Sequence, residues 1–417
     1  MNFSTKFAHE HLDLTRRYFL KLGVTGVASL VMPGWRALAE QADDRLAAAV
    51  SELEYLTPPA DFGTVERGDP LPYTLPREKR LALGLERETW KLDVVADPES
   101  DSVLENPMSA AAGNVFTWND LMELAKTRAV RFMKIMTCLN IGDPLGMGLW
   151  EGVPLRDVIW LAKPVENVRR VFFYGHHNED PEQIFQSSLP IGRVLEDPPG
   201  AQPVLLCYKL NGEWLSGKRG GPVRVLVPDD YGFKSIKWLQ RVFLTNRFNA
   251  NDTYERGNND VDSRMKTFAR FIHYPETAKA GEPLPLTGLA QVGMSGLAKV
   301  QYLLQPRGTE WPADDPYFTK AEWQDAELLP APKDWGSGLG SQLPPIPSQL
   351  DKQSRPLRWP LPYTQTHWAA LAPAVPAAKY FLRCRTIDAK GFAQPMPRPF
   401  RKSGGNAIQR VRVTVES

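Results

Sequence analysis

The sequence predicts an α+β chain in two parts: a mixed catalytic domain first, then an all-β sandwich. Three observations carry this. Short apolar runs of strand character recur along most of the chain and end at Gly, Asn-Gly or Pro. Helix-like patterns with start signals are few and confined to the first part. With 37 Pro and 31 Gly in 417 residues, the chain favours loops and strands over a helical bundle. The apolar share of 42% suffices for real cores, and the length suits two domains of ordinary size. A net charge of +2 gives no electrostatic footprint for nucleic acid.

The N-terminus reads as an address. "TRRYFLK" (Thr15 to Lys21) precedes the apolar run "LGVTGVASLVM" and then "ALAE", with small residues at Ala37 and Ala39. This is the pattern of a twin-arginine export signal, residues 1–39, cleaved near Ala39. The apolar run is about half of the roughly 20 residues a membrane span needs. The expected location is the periplasm, reached through the twin-arginine export machinery. That route carries folded proteins, often already loaded with a cofactor.

Residues 40–282 read as the first domain. It opens with a charged, Pro-rich extended arm over 40–90, beginning with a short helix in "DDRLAAAVSELEYL". "ETWKLDVVA" is strand-like. "FTWNDLMELAK" is helical behind a cap at Thr117. "AVRFMKIMTC" alternates as a strand and delivers Cys138 to its end. "PLRDVIWLAKP" is helical with Pro154 in its first turn. "VRRVFFYG", "PVLLCYKLNG" and "PVRVLVP" are strands. The second domain is expected from Pro283 to Ser417. "LPLTGLAQVGMSGLAKVQYLLQP" supplies sandwich strands, residues 330–376 form a long loop, and "AKYFLRCRTIDAKG" and "NAIQRVRVTVES" close the chain.

The three cysteines do not form a disulfide framework, and their spacing fits neither a zinc site nor a covalent c-type haem. Hydrolase elbows and phosphate-binding loops are absent from the sequence. What remains is Cys138 before a glycine-rich loop, with polar residues at strand ends: His176, His177, Arg219, Arg224, Lys234 and Lys237. Cations on separate loops suit an anion, Arg by its planar fork and Lys as a point charge. Read from composition alone, they are solvated strand ends.

The order of motifs resembles the sulfite oxidase family of molybdenum-cofactor (molybdopterin) oxidoreductases. "TCLN" followed by "LWEGVPLRDVI" resembles the molybdenum-cysteine segment, in which Cys and Asn precede a Trp-x-Gly-x-x-Leu-Arg-Asp run. "VLLCYKLNGEWLSGKRGGPVRVLVPDDYGFKSIKWLQRV" resembles the family's most specific stretch, Gly-x-Pro-x-Arg and then Gly-x-x-Ser-x-Lys-Trp-Leu. "RTIDAKGFAQP" and "NAIQRVRVTV" resemble its C-terminal immunoglobulin-like dimerisation domain.

The resemblance implies a single pyranopterin dithiolene on molybdenum, with Cys138 as the one protein ligand. A soft thiolate suits a sulfur-rich metal site. Residue by residue, it implies Arg67 and Arg219 facing the metal, and His177, Arg224, Ser235 and Lys237 holding the cofactor. Lys234 is a further cation beside them. It implies two-electron oxygen-atom transfer on a small, sulfur-containing substrate, as in a sulfite dehydrogenase. The other readings are a sulfoxide-type reductase and a non-catalytic binding protein. With no haem motif in the chain, electrons are expected to pass to an external carrier such as a c-type cytochrome. The second domain is expected to join two copies. Cys207 and Cys384 are expected to be structural.

Two departures bear on substrate. The family's Tyr near the metal is expected where "IFQSSLP" offers Phe185. The Arg five residues after the cysteine is replaced by Asp143. An anion there is expected to repel sulfite and weaken its oxidation.

Overall fold

The computed structural model describes residues 44–176, 185–249 and 253–417. The export signal and His177 lie outside them. Two sheets build the first domain. One runs Phe116–Thr117, Lys91–Ala96, Leu239–Thr245, Arg170–Gly175 and Gln186–Pro190, with the second and third strands parallel. The other runs Val130–Thr137, Pro144–Pro154, Leu205–Leu210 and Glu213–Trp214, with Arg224–Leu226 beside Leu205–Leu210.

The helix Trp118–Arg128 starts where the sequence indicates. Thr117 Oγ1 accepts from the Asp120 amide, and Asp120 accepts from the Thr117 amide, which closes a capping box. Pro154 ends a strand and caps the helix Leu155–Leu161. The strand Val130–Thr137 departs from the expected alternation, because every residue from Phe132 onward is buried. Both of its faces are covered, so apolar side chains occupy both.

An eight-stranded sheet forms the second domain. Its order is Phe268–His273, Leu284–Gln291, Gln365–Ala372, Gln324–Leu328, Lys299–Pro306, Ala378–Ile387, Gln409–Glu416 and Thr277–Lys279. Phe268–His273 packs back against Ala378–Ile387, so the sheet closes around Leu286, Val300, Trp368, Leu382 and Val413. This β architecture begins at Phe268, ahead of the Pro283 boundary read from the sequence. The apolar stretch that pairs with Leu284–Gln291 lies upstream of that proline.

The arm and the long loop also differ from their sequence reading. The helix Asp44–Ser51 rests on the second domain through Leu46, and the arm then crosses to bury Tyr55, Leu56 and Phe62 in the first. The 330–376 stretch contains the strand Gln365–Ala372, and its irregular part is packed. Trp335, Leu343, Ile346, Leu350 and Leu361 all join the first domain's core. The loop also covers the edge of Val130–Thr137. The Gln349 amide accepts from the Met133 N–H at 2.6 Å and donates to its carbonyl at 2.9 Å, while the Tyr363 carbonyl accepts from the Ile135 N–H at 2.9 Å. A strand edge left bare inside a fold would strand these polar groups.

Cys207 and Cys384 are free and buried in separate cores. Burial pushes the Cys207 thiol up to about 12 and the Cys384 thiol up as well, as inert structural cysteines require.

The Gln349 clamp is directly testable. Gln349→Leu leaves two buried backbone groups unpaired, and we expect a loss of about 3 kcal/mol in denaturant unfolding. An unchanged midpoint would mean the edge is sealed without it.

Candidate functional site

The pocket of interest lies where the arm, the end of strand Val130–Thr137 and the 217–238 segment meet. It encloses about 640 Å³, its open mouth included. Cys138 lies on its floor, 5% exposed, one residue beyond the strand. The turn Gly232–Lys234 presses close to that strand end: a Cβ on Gly232 would lie 3.0 Å from Met136 Sδ. A side chain there would press on Met136 Sδ and, at 3.3 Å, on the Thr137 carbonyl, so glycine gives the closest approach.

Arg67, Arg219, Arg224 and Lys237 all line this pocket with Cys138, and so does Ser235. Six of the seven residues named from the sequence are thus brought together. The seventh, His177, is outside the described residues.

Each cation is held differently. Arg219 donates to the Gly63 carbonyl at 2.6 Å and to the Phe62 carbonyl, and its guanidinium lies 5.0 Å from the Phe62 ring centre. Arg224 donates to the Arg219 carbonyl at 2.9 Å and the Ser235 carbonyl at 2.6 Å, while its buried Nε has no hydrogen-bond partner. Burial, first, and the neighbouring Arg219 lower the Arg224 pKa to about 10. Lys237 donates to Thr64 Oγ1 at 2.7 Å and to the Val65 and Lys218 carbonyls at 3.0 and 3.1 Å. Burial, first, and then Arg224, Arg219 and Arg67 push it down to about 7. Arg67 stacks on Phe185 at 3.7 Å. Gly220 makes room for Lys237: its φ is +91°, and a Cβ there would lie 2.6 Å from Lys237 Cβ.

Ser235 lines the wall, but its hydroxyl accepts from the Val227 N–H at 3.0 Å. It holds the turn as well as facing the pocket.

Two expectations are corrected. Lys234 does not join the cations at the wall. It is buried, donates to the Ser188 carbonyl at 2.8 Å, and stands beside Asp230. Asp143 is absent from the wall. Its carboxylate pairs with Arg270 Nε at 3.0 Å, and its side chain is 73% exposed. A solvated, paired carboxylate outside the pocket exerts little repulsion within it, so the expected penalty on sulfite is withdrawn.

Phe185 does line the pocket, and a phenol stands behind that lining rather than in the wall itself. Tyr254 stacks on Phe233 at 4.0 Å and meets Phe185 edge-on at 6.0 Å. Its hydroxyl accepts from Asn140 Nδ2 at 3.1 Å and also bonds Arg67. Burial, first, and the nearby Cys138 raise its pKa. Tyr254 was missed because "NDTYERG" carries no periodicity; a lone aromatic among turn residues was its only mark.

The donor set fits a metal whose other ligands arrive with an anionic, sulfur-rich organic group. Among the described residues no cluster of three or more His, Cys, Asp or Glu could hold a metal. Cys138 is therefore the soft protein ligand on offer here. Among the described residues the pocket wall includes four cations and no carboxylate. The unpartnered Arg224 Nε is a buried donor suited to an anion.

Lys237 makes this testable without cofactor. Its folded pKa of about 7 lies below the ordinary lysine value of 10.5. Between those values the unfolded chain binds a proton that the folded chain refuses, so stability falls as pH falls through the window. An anion beside Lys237 restores its charge. We expect sulfate to raise the melting temperature of the cofactor-free protein more at about pH 6 than at about pH 9. Lys237→Met should flatten the difference. A sulfate effect independent of both pH and Lys237 would place the anion elsewhere.

Comparison with known proteins agrees with this geometry. Residues 84–253 match the family described as oxidoreductase molybdopterin binding domain. The sulfite oxidase of Gallus gallus is 26% identical over 262 residues, 59% of this chain and 50% of that protein. The NADPH nitrate reductase of Pichia angusta is 31% identical over 134 residues, 32% of this chain and 14% of that protein. The chain thus spans half or less of the length of these relatives. The crystal structure of the sulfane dehydrogenase SoxCD from Paracoccus pantotrophus superposes with a TM-score of 0.53 at 19% identity, covering 79% of this chain and 77% of that one, which is a likeness of fold. With the cysteine, the cations and the Ser-x-Lys turn assembled in one pocket inside the matched region and at its arm, residues 84–253 are an oxidoreductase molybdopterin binding domain, and the chain is similar to the sulfite oxidases.

Proposed function

We propose that this chain is an exported molybdenum enzyme. It moves one oxygen atom from water to a small sulfur compound and passes the two electrons released to an acceptor, with sulfite-type oxidation as the parent reaction. The observation that carries the reading is the convergence of Cys138, Arg67, Arg219, Arg224 and Lys237 on one pocket. The cofactor, a single pyranopterin dithiolene with molybdenum, supplies the two-electron redox chemistry and the oxygen transfer.

The chain's own residues do the rest. Cys138 is the thiolate ligand. Arg219, Arg224 and Lys237 neutralise the cofactor's anionic groups, Arg224 with its unused Nε and Lys237 by regaining its proton. Arg67 faces the substrate, with Tyr254 bonded to it beside Cys138. The guanidinium draws an oxyanion in, and the phenol holds the guanidinium in place by hydrogen bonding. Phe62, Phe185 and Phe233 exclude water from the wall. The names of the relatives, sulfite oxidase and nitrate reductase, point to small oxyanions. Asp143, paired outside the pocket, no longer argues against one.

Two electrons and two protons leave in each turnover of sulfite with water. The electrons pass to an external carrier of the c-type cytochrome kind, and the second domain joins two copies of the chain. The test is molybdenum and pterin analysis of protein from a cofactor-competent host, with steady-state sulfite oxidation by ferricyanide. We expect stoichiometric cofactor, and a fall of at least about hundredfold in turnover for Cys138→Ser with pterin retained, because the ligand tunes the metal. Full activity in Cys138→Ser would sink the assignment.

Location in the periplasm rests on "TRRYFLK". Changing Arg16 and Arg17 to Lys should leave the precursor in the cytoplasm, since the pair is a receptor-read address. Normal export of the double mutant would show that the pair is not the signal.

A further inference from the structure

We infer that the second domain positions the Cys138 sulfur, with Arg270 and Gln291 as positioning residues that act from outside the pocket. Cys138 lies between Thr137, the last residue of its strand, and the loop running to Asp143. Both flanks are held by the same foreign sheet. On one side, Thr137 Oγ1 donates to Gln291 Oε1 at 2.5 Å, and the Gln291 amide is locked by donating to the Lys266 carbonyl at 2.7 Å. Thr137 and Gln291 are both fully buried.

On the other side, Arg270 spreads its guanidinium over the loop. Nη2 donates to the Gly142 carbonyl at 2.8 Å and Nε to Asp143 Oδ1 at 3.0 Å. Nη1 is held within its own domain by the carbonyls of Ala269 at 2.9 Å and Ala407 at 3.2 Å. Gly405, also of the second domain, backs the same loop: a Cβ there would lie 3.0 Å from Gly142 Cα.

The two anchors are mechanically one body. Phe268–His273 and Leu284–Gln291 are hydrogen-bonded neighbours, with Phe268 opposite Gln291 and Arg270 opposite Leu289. Neither Arg270 nor Gln291 lines the pocket, so their effect passes through Thr137 and the Gly142 carbonyl. A ligating sulfur needs such support, because small misplacements of a site cost large factors in rate. The contributions are unequal. Asp143 is exposed, so its ion pair adds little, whereas the Gly142 carbonyl meets an Arg270 side chain that is only 11% exposed. Lysine cannot reproduce the fork.

The inference rests on Cys138 being the functional thiol of the site, but its test does not need molybdenum. Full-length, cofactor-free chain is alkylated with iodoacetamide, and labelling is read separately at Cys138, Cys207 and Cys384 by mass spectrometry. We expect Arg270→Ala and Gln291→Leu to label Cys138 about tenfold faster, the order set by losing one charged or buried hydrogen bond. Asp143→Ala should change the rate by about twofold or less. Cys207 and Cys384 should stay at their wild-type rates. If Arg270→Ala does not fold, Arg270→Lys keeps the stem and charge but loses the fork, and serves the same reading. A wild-type Cys138 rate in folded variants, or equal acceleration at all three cysteines, would overturn the proposal. Faster Cys138 labelling in a chain that takes up no molybdenum would sustain it while defeating the proposed function.

Discussion

The burial of several cations around one thiol is the constraint on which the rest of this structure depends. Arg219, Arg224 and Lys237 are brought together in one wall to which, among the described residues, no carboxylate belongs, and Glu66 just outside it offsets Lys237 only in part. The energetic cost is visible in Lys237, driven to about 7, and in Arg224, driven to about 10. Folding tolerates this because backbone carbonyls take the place of counter-ions. The carbonyls of Phe62, Gly63, Val65, Lys218, Arg219 and Ser235 all accept from these side chains. Carbonyl dipoles stabilise a buried cation in part, and leave it receptive to a full negative charge.

That requirement explains the arm. A stretch with little secondary structure of its own crosses from the second domain to the first, and in doing so lays the carbonyls of 62–65 against Arg219 and Lys237. Phe62 fixes the crossing by packing edge-on against Trp150 at 5.8 Å, with Gly146 flat beneath it. The long loop does the corresponding task on the opposite side, sealing the strand that carries Cys138. Irregular chain is used here wherever a polar group must be presented to a buried partner, which regular strands cannot do because their own groups are already paired.

The second domain also bears on the site directly. Its first two strands supply Arg270 and Gln291, which grip the residues on either side of Cys138. The pairing of Asp143 with Arg270 shows how a charge that looks hostile to an oxyanion in one dimension becomes part of a brace in three.

Much of this protein was legible in its sequence. The strands and the Thr117 cap followed from apolar runs and turn residues, because those are short-range properties: a strand's faces and a cap's reach are set by neighbours within a few residues. The six pocket residues came from the resemblance of their motifs to the sulfite oxidase family, not from pattern or spacing alone. Where the second sheet begins, how the long loop packs, the burial of Lys234 away from the pocket, the neutralisation of Asp143 and the placing of Tyr254 beside Cys138 were decided only by tertiary structure. Each depends on a partner distant in the chain, such as Arg270 for Asp143 or Phe233 and Arg67 for Tyr254. Local sequence fixes which groups a residue carries; which of them meet is settled by how the two domains close on one another, and no spacing along the chain encodes that distance.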